Sequence, residues 1–90
     1  MKYFDWSTEK NKKLSVEREI CFEDVLIAIE DGFLLDVLIH ENSKYAGQKI
    51  FVVNIDNYAY LVPFVEDEEK VFLKTIIPSR KATKKYLIIS

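Results

Sequence analysis

The segment Ile50-Phe51-Val52-Val53-Asn54-Ile55 carries apolar side chains at both parities. A strand alternates its side chains between two faces, so Phe51, Val53 and Ile55 point one way and Ile50 and Val52 the other. A sheet with one face in water does not fit that pattern, and both faces of this one need cover. Asp56-Asn57 follows as a two-residue hairpin turn, because both residue types tolerate positive φ. That turn places Ile55 opposite Tyr58 and Val53 opposite Tyr60 on a second strand over 58–65.

Two N-terminal helices are expected to cover one face, and a short C-terminal helix, alone or with another chain, the other. Ser7 or Thr8 caps a first helix that runs through Leu14, with Glu9 at the positive end of the helix dipole. A second helix spans 22–31, with acids in its first turn and Gly32 just beyond its end. Its residues Phe22, Val25, Leu26 and Ile29 recur at i, i+3, i+4 and i+7, the stripe of a helix facing a core. A third, short helix over 79–86 has Ser79 as its N-cap after Pro78. These helices flank β-rich segments at 33–39, 49–56, 58–65 and 70–77, with a polar loop over 40–48 and an acidic connection over 66–69. A further short strand is read at 3–5, and the apolar tail 87–90 is expected to pack. Pro63 predicts a bulge, since proline forfeits a ladder hydrogen bond. The reading is α+β: two N-terminal helices, a four-stranded antiparallel meander and a short C-terminal helix.

With 90 residues, 49 % of them hydrophobic, the chain builds one core, so 1–90 is a single domain. Two glycines, two prolines and 31 % charged residues exclude collagen-like and low-complexity classes. The single Cys21 permits no internal disulfide and points to a reducing compartment. The opening residues form no signal-peptide core, and no apolar run reaches the roughly 18 residues of a membrane helix, so a cytoplasmic protein without a membrane partner is expected. One His and one Cys make no zinc set, and glycine-rich phosphate loops and a nucleophile elbow are absent, so no metal or cofactor is expected.

Charge is unevenly spread. Residues 1–41 hold 5 Lys/Arg against 10 Asp/Glu, and residues 42–90 hold 8 against 5. Beyond Glu69 the tract Lys70, Lys74, Arg80, Lys81, Lys84 and Lys85 contains no acid, which suits phosphate contacts. Cleavage of RNA by its own 2′-hydroxyl needs a base, cations for the developing charge and a donor for the leaving oxygen. His40, Lys44, Tyr45 and Lys49 around one loop, Tyr58 and Tyr60 on a strand, and Lys74, Arg80 and Lys81 near the end of the meander supply such groups. Exposed tyrosines also stack on bases.

Tyr3-Phe4-Asp5-Trp6 followed by Lys10, then Ile20-Cys21-Phe22-Glu23-Asp24, and finally Ile76-Ile77-Pro78-Ser79-Arg80-Lys81-Ala82-Thr83, resemble the BrnT family of type II toxins in the RelE-like ribonuclease superfamily. The resemblance spans nearly the whole chain and implies a RelE-like fold and a metal-independent endoribonuclease that cuts RNA, free or on the ribosome, and inhibits translation. It also implies neutralisation by an antitoxin, a ribbon-helix-helix DNA-binding protein through which alone the pair touches DNA. Arg80 matches the family's arginine and Lys49 stands near its basic strand residue. On this reading Arg80, Lys49, His40 and Tyr60 form the catalytic set, while Lys44, Tyr45, Lys74, Lys81 and Lys84 bind RNA. Arg18, Cys21 and Thr75 stand where the family has histidine, a serine cap and arginine. The acidic pI and Thr75 also fit an alternative, a non-catalytic protein-binding module on the same scaffold. An antitoxin segment with several acids is expected to lie against Lys49, Arg80 and Lys84.

Overall fold

The elements run β1 (Tyr3–Trp6), α1 (Thr8–Arg18), α2 (Phe22–Glu30), β2 (Leu34–Ile39), β3 (Lys49–Ile55), β4 (Tyr58–Glu66), β5 (Lys70–Leu73), β6 (Ile77–Pro78) and α3 (Arg80–Tyr86) in the computed structural model, which describes residues 2–39 and 49–88. The fold is α+β with three helices and one mixed sheet. None of the helices is long and apolar enough to cross a membrane among the described residues.

The hairpin forms as read: Ile55 pairs with Tyr58 and Val53 with Tyr60, and Asp56 and Asn57 take φ of 54° and 65°. The sheet around it departs from a simple four-stranded antiparallel meander. Its order is β1-β5-β4-β3-β2, with β6 also pairing β4, and β1 lies parallel to β5 with Tyr3 beside Lys70 and Trp6 beside Leu73. The single segment expected at 70–77 is two strands, because the chain leaves β4 after Leu73 and rejoins it at Ile77, opposite Leu61.

That break explains Pro63, where no bulge forms: Lys49↔Phe64, Ile50↔Pro63 and Phe51↔Val62 pair without a shift. The Pro63 carbonyl accepts from the Lys74 N–H at 2.8 Å. A strand residue turns its N and C=O to the same side, so the missing N–H faces the gap between β5 and β6, where no ladder bond is lost. The register shift lies instead between Leu34 and Asp36 in β2. Glu66 belongs to β4, and the connection is Asp67–Glu69, closed by the Asp67 carboxylate accepting from the Glu69 and Lys70 N–H groups at 2.8 and 2.9 Å.

Both sheet faces are covered, unequally. Leu14, Ile20, Phe22, Val25 and Ala28 of the N-terminal half pack with Val53, Val62, Phe64, Val71, Leu73 and Ile76 into the main core. Phe51 stacks on Phe64 with centroids 3.9 Å apart, and Trp6 on Phe22 at 5.6 Å. On the other face Val52, Ala59 and Ala82 form a smaller cluster, flanked by Leu35, Leu38, Leu61, Tyr86 and Leu87. Leu87 thus packs as expected of the tail, whereas Ile88 is exposed.

Capping follows the sequence at Ser7 and Ser79, whose hydroxyls accept from the Lys10 and Ala82 N–H groups. Helix α1 runs past Leu14 to Arg18 and stops at Glu19 in the left-handed region, φ 55°. The Arg18 guanidinium then donates to the Ile76 carbonyl at 3.0 Å, tying α1 to the link before β6. Asn11 joins the helices: its side-chain carbonyl accepts the Phe22 N–H at 2.7 Å while its amide donates to Glu23.

Candidate nucleic-acid interface

Strand alternation sorts the expected site residues onto two faces. Lys49, opposite Phe64, lies on the face covered by α1 and α2 and pairs with Glu66 at 2.7 Å. Lys2 reaches the other Glu66 oxygen at 2.9 Å. Hydrogen bonds from Lys49, then Lys2, hold the Glu66 carboxyl below the usual carboxylate range. Tyr60 is on the same face as Lys49 but at the hairpin end, packed against the main core and edge-on to Tyr58 with centroids 5.7 Å apart.

Arg80 stands on the opposite face, at the start of α3. The Ser79 N–H donates to the Ala59 carbonyl at 3.0 Å, fixing the helix start beside the hairpin. Lys49 is paired with Phe64, five residues further along β4, a separation of about 17 Å at the rise of a strand. The structure therefore does not bring Lys49 and Tyr60 together with Arg80. His40, Lys44 and Tyr45 lie outside the described residues.

Helix α3 is anchored by its inner side. Ala82 and Thr83 are buried, and the Thr83 hydroxyl accepts from the Ala59 N–H at 2.9 Å while donating to the Ser79 carbonyl at 2.7 Å. At the far end the Tyr86 hydroxyl donates to Asp36 of β2 at 2.6 Å. That hydrogen bond lowers the Asp36 carboxyl and raises the Tyr86 phenol relative to their ordinary values. With one side so fixed, Arg80, Lys81, Lys84 and Lys85 are all exposed. No ion pair among the described residues involves α3.

The same sheet face continues beyond the helix. Lys70 and Phe72 alternate with the core residues Val71 and Leu73, so they project away from the main core, and Lys74 follows in the same parity. Phe72 belongs to neither buried cluster, the Lys70 ammonium sits 5.9 Å from its ring centroid, and Tyr3 in the adjoining strand is 55 % exposed. Lys70 also lies 3.8 Å from Asp5, which tempers its charge. Helix cations, a lysine row and two aromatic rings therefore share one side of the sheet. This combination suits an extended, single-stranded polyanion, with cations for phosphates and rings for bases.

The sequence signals Lys74, Arg80, Lys81 and Lys84 individually but not Tyr3 and Phe72. Only the parallel pairing of β1 with β5 reveals that those two share the face. The Lys74 N–H continues the ladder to the Pro63 carbonyl, which places Lys74 on the α3 side with Arg80. No protein-family model, curated protein or solved structure matches the chain.

Proposed function

We propose that this chain is the toxin of a type II toxin–antitoxin pair, a metal-independent endoribonuclease of RelE-like architecture. The carrying observation is the acid-free, exposed face of α3, with Arg80, Lys81, Lys84 and Lys85, on the same side of the sheet as Lys70, Phe72 and Lys74. The element order, a strand, two helices, a meander and a last helix, supports the architecture that the sequence resemblance implies.

In this reading Arg80 holds the scissile phosphate and stabilises the charge that develops as the 2′-oxygen attacks phosphorus and the 5′-oxygen leaves. Lysines along α3 and Lys74 hold flanking phosphates. Lys49 is occupied by Glu66 on the opposite face and stands outside this phosphate site. The antitoxin neutralises by covering the α3 side with an acidic segment.

The test is inducible expression in bacteria of the wild type and Arg80→Ala, with transcriptome-wide mapping of RNA ends soon after induction. Growth arrest with new internal ends in the wild type alone is the expected result. Soluble wild-type protein that produces neither effect overturns the ribonuclease reading. That result favours a non-catalytic protein-binding module, which the separation of Lys49 and Tyr60 from Arg80 also favours.

A further inference from the structure

The main-core side of the molecule carries a cleft of about 610 Å3 between α2 and the β3–β4 hairpin. Its apolar lining comprises Ile55 and Tyr60 of the hairpin strands, the buried Ile20 and Ala28, and Ile27 and Phe33. The last two are 56 % and 48 % exposed, so they present apolar surface to solvent at the cleft. Ile27 stands on the outer side of α2, away from the buried Phe22, Val25 and Ala28, so folding of this chain does not explain its apolar character.

The charge at the cleft has one sign. Glu19, Asp24, Asp31 and Asp56 line it, and no lysine or arginine does so among the described residues. Asp24 is engaged by Cys21, whose N–H and thiol lie 3.1 and 3.3 Å from one carboxylate oxygen. These neutral donors leave the Asp24 charge in place, and Glu19, Asp31 and Asp56 add three more carboxylates to the cleft. This is the reverse of α3, where every charged side chain is cationic.

We infer that the cleft docks a short basic segment of a partner protein, in which a large apolar side chain sits between arginines or lysines. The apolar residue packs between Ile27 and Phe33, and the flanking cations reach Asp31 and Asp56. An acidic segment is repelled by like charge, and a purely apolar one leaves the carboxylates desolvated without partners. A second copy of this chain fits less well: the α3 cations have no exposed large side chain between them, and on α1 the exposed Val16 beside Lys12 and Lys13 is flanked by the acids Glu9 and Glu17. The inference does not depend on ribonuclease activity, since it uses neither Arg80 nor the α3 face.

The probe is a short dye-labelled peptide alternating arginine with leucine, titrated into the full chain by fluorescence anisotropy and mapped by amide NMR shifts. Binding should perturb residues of α2 and the hairpin. It should weaken at least about tenfold in Asp31→Asn/Asp56→Asn, and by a similar factor in Ile27→Ser/Phe33→Ser. Glu68→Gln/Glu69→Gln removes the same charge at a distant turn and should leave affinity unchanged. Thermal melts of each variant separate lost binding from lost folding. Absence of binding overturns the inference, as does equal weakening by the distant pair. Displacement by spermine with no dependence on Ile27 and Phe33 also overturns it, because the cleft would then be reading charge alone.

Discussion

Thr83 shows how one side chain holds the candidate interface in place. Its hydroxyl is the acceptor for the buried Ala59 N–H, which faces α3 and has no strand beside it at that point. Thr83→Val keeps the shape and removes the acceptor, so it should cost about 1–3 kcal/mol in chemical denaturation, with Thr83→Ser recovering much of the loss. Cys21 is the converse case. Burial, the largest influence, pushes its thiol above the ordinary value, and it serves as N-cap of α2 where serine is a better acceptor. Cys21→Ser should therefore raise the melting temperature. The Ser79 cap was legible in the sequence because it depends on neighbours three residues away. Thr83's role was not, since it depends on which strand carbonyls and amides remain unpaired after the sheet forms. Pro63 misled for the same reason: proline announces a missing donor, but only the assembled sheet shows that the donor would have faced a gap.

Between elements, the tie of α3 to β2 through Tyr86 and Asp36 makes helix docking sensitive to pH at both extremes. Asp36 titrates lower in the folded chain than in the unfolded one, so its contribution is present above the usual carboxylate value of about 3.9 and is lost as pH falls through the folded value. Tyr86 titrates higher when folded, so its contribution is present below about 10 and is lost as pH rises through the folded value. Tyr86→Phe should flatten both limbs of the melting temperature profile, and a profile shaped like the wild type's would exclude the tie as their source. The two-sided burial of β3 and the amphipathic stripe of α2 were legible, because alternation and the helical period act over a few residues. The parallel partner of β1 was not, since the pairing of Tyr3 with Lys70 is set by where the whole meander ends.

Across the molecule, the α3 cations lie on one side of the sheet and the Glu19–Asp31–Asp56 cleft on the other. Binding of single-stranded RNA to the α3 side should weaken steeply with added salt, and Arg80→Ala should reduce the slope of log affinity against log salt by about 0.7. A salt-independent affinity would remove the phosphate contacts from the account. Sequence counting found the asymmetry between the two halves of the chain, but it credited Lys49 to the cationic side, whereas folding places it beside Glu66. The parallel pairing of β1 with β5 also bears on synthesis. Phe4 and Trp6, which pack on the main core, have no strand to join until Lys70–Leu73 has left the ribosome. A nascent chain halted before that point carries its first strand as a loose apolar arm, open to chaperones and proteases. Because α3 follows β5 in the chain, the cationic interface is completed only after the partner strand of β1 has been made.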